Sequence, residues 1–184
     1  MAVGEIGVTV EVQDMLKGKS KVDIALAVDL FESMQLLVGI PEKNAARADG
    51  GMDNVSLAFL HSRGSPVNNM PARPFIEPAI EQDSTIDVIA EHFGEAFQGA
   101  LFGDAGEVHR QLSYAGIESV NAIRNYMGSG ALAPNAPITV SGGWMRNKVS
   151  GKPFKVAGKG SAAPLIDTSG LRAAVTYVIE GSDS

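Results

Sequence analysis

The chain has 184 residues, 45% hydrophobic and 20% charged, which is ordinary for a globular protein and enough for one domain with a buried core. Its 15 basic and 21 acidic residues give a net charge of −6, which argues against a dedicated nucleic-acid-binding domain, since such domains carry a clustered basic excess. The sequence contains no cysteine, which excludes disulfides, thiolate metal sites and thiol catalysis.

The apolar segments are short. The longest runs, such as residues 24–28, fall far short of the roughly 20 residues that span a bilayer. The first residues also lack the basic and apolar regions of a signal peptide. We therefore expect a protein that is made in a cytoplasm, stays soluble there and has no membrane partner.

The first third of the chain predicts a strand, a helix and a second strand. Apolar residues alternate along residues 6–12, which is the period of a half-buried strand. Helical spacing favours a helix over a strand for residues 22–34. Residues 36–40 predict a short buried strand that ends at Pro41.

Loops and breaks dominate the next forty residues. The small and polar residues of 42–54 predict a mobile loop. Residues 55–61 fit a short helix or a strand, which the segment 62–66 stops. The proline-rich segment 70–78 predicts an extended connection that enters a helix at its end.

Two amphipathic helices with a break at Gly103 predict a helical hairpin, in which Ser84 caps the first helix with Asp87 three residues on. Gly128 and Gly130 follow the second helix as stop signals. The first apolar stripe comprises Ile86, Ile89, Phe93, Phe97 and Leu101. The second comprises Val108, Leu112, Gly116, Val120, Ile123 and Met127.

After residue 131 the chain is rich in proline, glycine and lysine, and we expect a loop, mobile over about 141–163, with a β-excursion around Trp144. Alternation over residues 170–180 predicts a closing strand. The whole chain, residues 1–184, is therefore predicted to be one α+β domain. Its small mixed or antiparallel sheet packs against a long two-helix hairpin, and extended flexible loops connect the elements.

Catalytic patterns are weak. No two of His61, His92 and His109 are spaced as metal ligands on a helix, so a metal site is not predicted. The segment around Asp167 superficially resembles an aspartic-protease loop, and a dimeric aspartic hydrolase would need that carboxylate, but a capped turn is the favoured reading. Residues 158–164 contain no phosphate-binding loop. We expect no enzyme, no catalytic residues and no cofactor.

Four lysines at positions 148–159 form a local basic stretch. A solvated flexible loop is the favoured reading, because charge-rich glycine segments bury little apolar surface. The alternative is a DNA-binding accessory protein that grips phosphate with these lysines, and salt-sensitive retention on DNA would reveal it.

Three segments in order carry a resemblance to a known family. They are residues 70–76 (MPARPFI) with 38–41 (VGIP) upstream, residues 133–139 (APNAPIT), and residues 164–168 (PLIDT) leading into 170–172 (GLR) and 175–179 (VTYVI). Together they resemble the tail-completion and minor-tail proteins of tailed phages, including virion-morphogenesis proteins of Mu-like phages. The resemblance covers about residues 36–180, and Ser169 departs from the pattern by adding a residue between Thr168 and Gly170.

The resemblance implies a structural virion protein that acts in tail completion and head–tail joining at the neck, assembled in the host cytoplasm. The alternative within this class is a tail terminator or head-closure connector subunit. Expected partners are further copies in a ring, commonly a homohexamer, the tail tube or tail terminator protein, and the head-closure or connector protein. An acidic ring would also let phage DNA pass without specific binding.

Structural roles follow for the residues of these segments. Arg73, fixed between prolines, is expected to form a bidentate bond to a carboxylate such as Asp167 or Glu77, the alternative being simple exposure. Phe75 is expected to anchor the next helix in the core, and Leu171 to seat the last strand. The candidate structural or interface residues are Arg73, Pro74, Phe75, Pro164, Leu165, Asp167, Thr168, Leu171, Arg172, Lys148, Lys152, Lys155 and Lys159.

Overall fold

A computed structural model describes residues 17–18, 21–47, 51–68, 70–162, 164–165 and 170–181. The strand predicted over residues 6–12 lies outside these ranges, as do Asp167 and Thr168. The helices are α1 (Lys21–Glu32), α2 (Asn54–Arg63), α3 (Glu77–Ile80), α4 (Asp83–Leu101), α5 (Ala105–Gly128), α6 (Pro137–Ser141) and α7 (Gly170–Ala174). The strands are β1 (Gln35–Gly39), β2 (Gly143–Arg146), β3 (Pro153–Val156) and β4 (Thr176–Glu180).

The predicted α+β fold is confirmed, with α4 and α5 packed along each other as the long helical pair. Every residue of the stripe predicted for α5 is buried, from Val108 to Met127. The core forms two clusters along this helix. One joins the first half of α5 to α1 and α4, and the other joins its second half to α2, α3, α7 and the segment around Phe75.

The stripe predicted for α4 is only partly buried, because α1 covers one half of that helix. Phe31 of α1 packs edge-on against Phe93 and Phe97, at ring distances of 6.0 and 5.8 Å. Ile86, earlier in the helix, is 46% exposed. The predicted cap at Ser84 is also wrong, since α4 begins at Asp83 and its N-cap residue makes no side-chain hydrogen bond to the helix.

The first sheet is antiparallel, with β1 paired to β4 in a register that places Val38 opposite Tyr177. It packs against α5, where the Tyr177 ring lies over Gly116 so closely that a Cβ there would be 2.5 Å from the ring. The prediction that β1 is fully buried is wrong, since Leu37 is 46% exposed. A two-stranded sheet that rests on one helix leaves its other face open.

The second sheet is a hairpin of β2 and β3, which confirms the β-excursion predicted around Trp144. Its base is closed by Gly142 and Gly158, whose backbones approach so closely that a Cβ on either would be 2.6 Å from the facing chain. The predicted mobility of 42–54 and 141–163 stays a prediction.

The closing strand is shorter than predicted. Residues 170–174 form helix α7, and β4 begins only at Thr176. Leu171 and Ala174 are both buried, three residues apart, which is the spacing of one helical face. The alternation that predicted a strand therefore holds only after Val175. Within the described ranges, no helix is both long and apolar enough to cross a membrane.

Candidate interaction sites

Arg73 lies at the centre of residues 70–76, the first of the three segments that carry the resemblance. It is buried, with a relative exposure of 5%. Its Nε donates to the carbonyl of Ala133 at 2.6 Å, and its Nη2 donates to the carbonyl of Pro134 at 2.9 Å. The Nε and Nη2 donors of Arg73 are therefore bonded to two backbone carbonyls rather than to Glu77, so the prediction of Glu77 as the partner is wrong. Asp167, the other predicted partner, lies outside the described residues. Simple exposure, the alternative, is wrong.

Burial has an electrostatic consequence for this arginine. Desolvation lowers the pKa of Arg73 from its ordinary value. A guanidinium nevertheless stays charged in a protein, so its removal from water must be offset by hydrogen bonds. Because both acceptors belong to the chain segment 133–134, Arg73 joins that segment to its own.

The motif segments meet in one cluster. Phe75, Leu132 and Leu171 are 1%, 6% and 3% exposed and belong to the same hydrophobic core. The expectation that Phe75 anchors in the core is confirmed. We call this set, Arg73, Phe75, Leu132, Ala133 and Leu171, the junction. It brings together residues from all three segments that carry the family resemblance.

Arg124 of α5 joins two elements through hydrogen bonds that the sequence did not reveal. Its Nε donates to the carbonyl of Arg172 at 3.2 Å and its Nη2 to the carbonyl of Val175 at 2.9 Å. It therefore satisfies carbonyls at the end of α7, where a helix leaves acceptors open. The partners are about fifty residues away in sequence, so no local pattern could have indicated them.

The remaining motif residues near the junction have structural positions. Pro164 is buried, and Leu165 packs against the junction's core cluster with a left-handed backbone, φ 62°. Pro74 is exposed, and Arg172 is half-buried and offers its carbonyl to Arg124.

A cavity of about 280 Å³ adjoins the junction and is lined in part by His61, Asn135 and Leu171. The His61 Nδ1 is buried and has no hydrogen-bond partner among the described residues. Burial, followed by the positive charges of Arg73 and Lys159, lowers the pKa of His61, so the imidazole is held neutral. No carboxylate of the described part of the chain lines this cavity, and within that same part no group of three metal-ligating side chains occurs.

The hairpin β2–β3 concentrates positive charge. Five of the 15 basic residues lie in residues 143–159 and none of the 21 acidic residues does, so this segment carries +5 and the rest of the chain −11. Acidic residues are missing from the whole interval between Glu118 and Asp167. That gap in the sequence is a signal that could have distinguished the hairpin from a merely solvated loop.

The two faces of the hairpin differ. Trp144 pairs with Lys155 and Arg146 with Pro153, and residues directly opposite in an antiparallel pair point to the same side. The other side carries Met145 and Phe154, together with Gly143, which lies against Ile138 of α6 at the hairpin base. We call the side with Trp144, Arg146 and Lys155 the cationic face. Trp144 is 71% exposed there.

The predicted interface lysines occupy different positions. Lys148 donates to the carbonyl of Val67 and so ties the hairpin to the turn after α2. The backbone of Lys159 donates to Thr139 at 2.9 Å and joins the end of the hairpin to α6. Lys152 and Lys155 are exposed and pair with no carboxylate among the described residues.

Helix α4 carries four acidic residues and no lysine or arginine. Exposed carboxylates recur every four residues along one side of the helix, at Asp83, Asp87, Glu91 and Glu95. A groove of about 320 Å³ runs between the start of α4 and the second half of α5, and none of these four carboxylates lines it. Its lining includes the apolar parts of Val88, Ala122 and Tyr126 and the carboxylate of Glu118, and none of the described residues that line it is basic. We call this feature the acidic groove.

Comparisons with protein-family models, with curated proteins and with solved structures gave no match to this chain.

Proposed function

We propose that the chain is a structural virion protein of a tailed bacteriophage, acting in tail completion and head–tail joining at the neck. The observation that carries the proposal is the junction. Arg73 of the first segment (residues 70–76) binds the carbonyls of Ala133 and Pro134 in the second segment (residues 133–139). Leu171 of the third segment packs into the same hydrophobic cluster. Segments that share an order with the phage family are thus in contact here, as parts of one structural unit would be.

The chemistry of the motif residues supports a structural role over a catalytic one. Arg73 and Arg124 donate hydrogen bonds to backbone carbonyls within the protein. A group that binds or transforms a substrate has to keep donors directed into an open site. The conspicuous exposed groups, Trp144 and its neighbouring cations, lie instead on the surface of the hairpin. Such a surface suits contact with other subunits.

The role in joining is tested with a phage whose copy of this gene is interrupted. We expect complete heads and tails to accumulate separately, and the wild-type protein supplied from a plasmid to restore joined particles. Antibody labelling of restored particles in electron microscopy should mark the neck. A label on the tail side would favour a tail terminator, and one on the head side a head-closure subunit. Joined particles that lack the protein would contradict the proposal.

A charge-reversed variant separates assembly from folding. Replacing Lys152 and Lys155 by Glu should prevent joining while the purified protein unfolds cooperatively at a temperature close to that of the wild type. The matched control is Lys43→Glu, an exposed lysine in the turn after β1. If the double variant joins heads and tails as well as the control does, the hairpin has no part in the process.

A further inference from the structure

We propose that copies of this chain bind one another head to tail, with the cationic face of one hairpin seated in the acidic groove of the next copy. In this contact Trp144 enters the groove between α4 and α5, and Lys155 and Arg146 face Glu118 at its edge. The inference deepens the proposed function by specifying the ring contact, and it rests on that function. Its test uses purified protein, so the two can fail separately.

The hairpin has the features of an interface anchor. Its two strands contact chiefly each other. On the cationic face, Trp144 is 71% exposed beside Arg146 and Lys155. A tryptophan in this position exposes a large apolar area to water, and tryptophan and arginine are the residues that most often carry binding energy in protein interfaces.

The acidic groove has the complementary features. Val88, Ala122 and Tyr126 supply apolar contacts in a groove of about 320 Å³ whose lining is otherwise polar, and Glu118 supplies a negative charge. Glu91 lies three residues from Val88 and hence on the same side of α4. None of the described hairpin residues lines this groove in its own chain.

Charge decides between a second copy and nucleic acid as the occupant. The hairpin carries a charge of +5 and the rest of the chain −11, so a second copy attracts the hairpin electrostatically. The groove of that copy also offers apolar contacts to Trp144. A nucleic acid could pair with the lysines, but its phosphates would be repelled by the acidic body that carries the hairpin. The observations therefore favour protein as the partner.

The geometry of the contact predicts the kind of assembly. The donor surface and the acceptor surface are different parts of the molecule, so each copy can bind one neighbour through its hairpin and another through its groove, which is a heterologous contact. Such contacts close into rings when the rotation between subunits allows it and otherwise form filaments. A symmetric dimer would instead require two copies to exchange hairpins reciprocally, and a chain that carries a cross-linkable residue on both surfaces would then give only dimers, which would overturn the head-to-tail arrangement.

The chain contains no cysteine, so single cysteines can be placed without background. Pro153→Cys lies on the cationic face opposite Arg146, and Asn121→Cys lies on the exposed edge of the groove. With a short bismaleimide cross-linker, neither variant alone should give dimers, whereas an equal mixture should give a heterodimer. A chain with both cysteines should give a ladder. Lys43→Cys in place of Pro153→Cys is the control, and a yield no higher than that of this control overturns the proposal.

Substitutions then test the energetics in sedimentation experiments. Trp144→Ala should weaken self-association at least about tenfold, as expected for an interface anchor. Phe102→Ala, which removes a ring of similar exposure (69%) at the break between α4 and α5, should leave it unchanged. Lys155→Glu and Glu118→Lys should each weaken association, and their combination in one chain should restore much of it, because the reversed charges meet across the contact.

The same variants distinguish the proposed contact from the alternative, in which the hairpin binds nucleic acid. If Trp144→Ala and Lys155→Glu leave association intact but abolish binding to a labelled DNA oligonucleotide, the hairpin is a nucleic-acid surface and the proposal is overturned. If association is lost in both and the oligonucleotide is not bound by the wild type, the proposal holds. Thermal unfolding of each variant, compared with wild type, excludes misfolding as the cause.

Discussion

The junction and the hairpin handle positive charge in opposite ways. At the junction, Arg73 is 5% exposed and bonds two backbone carbonyls. On the hairpin, Lys152 and Lys155 are exposed, and Trp144 presents most of its surface to water. The guanidinium of the junction is hydrogen-bonded within the chain. The hairpin instead exposes charged groups and apolar surface side by side, where a partner can contact both.

This difference separates two uses of the same residue types. A buried cation that is fully hydrogen-bonded fixes how chain segments meet, and removing it leaves acceptors without donors. An exposed cation beside an aromatic ring contributes little to folding but can be desolvated by a partner. We therefore expect substitutions at the junction to change stability, and substitutions on the hairpin to change association.

The largest effect on stability is expected from Arg73→Met. The variant keeps apolar volume but leaves the carbonyls of Ala133 and Pro134 without their donor. Hydrogen bonds to a charged group contribute about 1.5–3 kcal/mol each, so the loss of two should lower the free energy of unfolding by roughly 3 kcal/mol. Urea denaturation measures this change. Arg63→Met, at an exposed arginine that stacks on Phe59, is the control and should cost well under 1 kcal/mol. A loss below 1 kcal/mol for Arg73→Met would remove the junction from its structural role.

A second, smaller effect is expected where the sheet rests on α5. Gly116→Ala would place a Cβ 2.5 Å from the Tyr177 ring, so the strand must shift. Overpacking of this kind costs about 1–3 kcal/mol. Gly94→Ala in α4 is the matched control, since nothing lies within 4 Å of its added Cβ. It should stabilise the protein by about 0.5–1 kcal/mol, because alanine favours helices. Equal effects of the two substitutions would contradict the close packing at Gly116.

Much of the fold could be predicted because its signals are local. The stripe of α5, the break at Gly103 and the strand β4 were each predicted from neighbouring residues, and each is present in the described structure. Errors arose where tertiary packing decides. Ile86 is exposed because α1 covers the other half of α4, and α7 forms because Leu171 and Ala174 both find the core.

The candidate sites were predicted less well than the fold. The sequence marked Arg73 and Phe75 but not the carbonyl acceptors, because residues 133–134 lie about sixty positions further along the chain. Arg124 carried no local signal for the same reason. The acidic groove is built from two helices, so it could be recognised only once α4 and α5 were in contact.

A third prediction uses pH to examine the polar edge of the junction. Burial and the charges of Arg73 and Lys159 depress the pKa of His61 in the folded protein below its ordinary value of 6.5. The unfolded chain therefore binds a proton more readily, and the stability that the neutral ring provides is complete above pH 6.5 and declines as the pH falls below it. The unfolding free energy should thus decrease from pH 7.5 to pH 5.5.

The variant His61→Gln isolates this contribution, because glutamine is polar but does not titrate. The decline between pH 7.5 and pH 5.5 should become shallower in the variant. The control is His109→Gln, at an exposed position on α5, which should leave the decline as in the wild type. Parallel pH profiles for wild type and His61→Gln would show that the imidazole is not held neutral by its surroundings.

The smallest effect on stability is expected on the hairpin, although the effect on function there is large. Trp144→Ala removes a ring that is 71% exposed, so the free energy of unfolding should change by less than about 0.5 kcal/mol. Urea denaturation, carried out at a protein concentration too low for self-association, measures this change in the free energy of unfolding directly. The same variant should fail to support head–tail joining. Since a destabilised variant could fail for a trivial reason, near-wild-type stability combined with lost joining is the result that separates an assembly surface from a structural one. A loss of 2 kcal/mol or more would place Trp144 with the junction residues, as part of what holds the fold together.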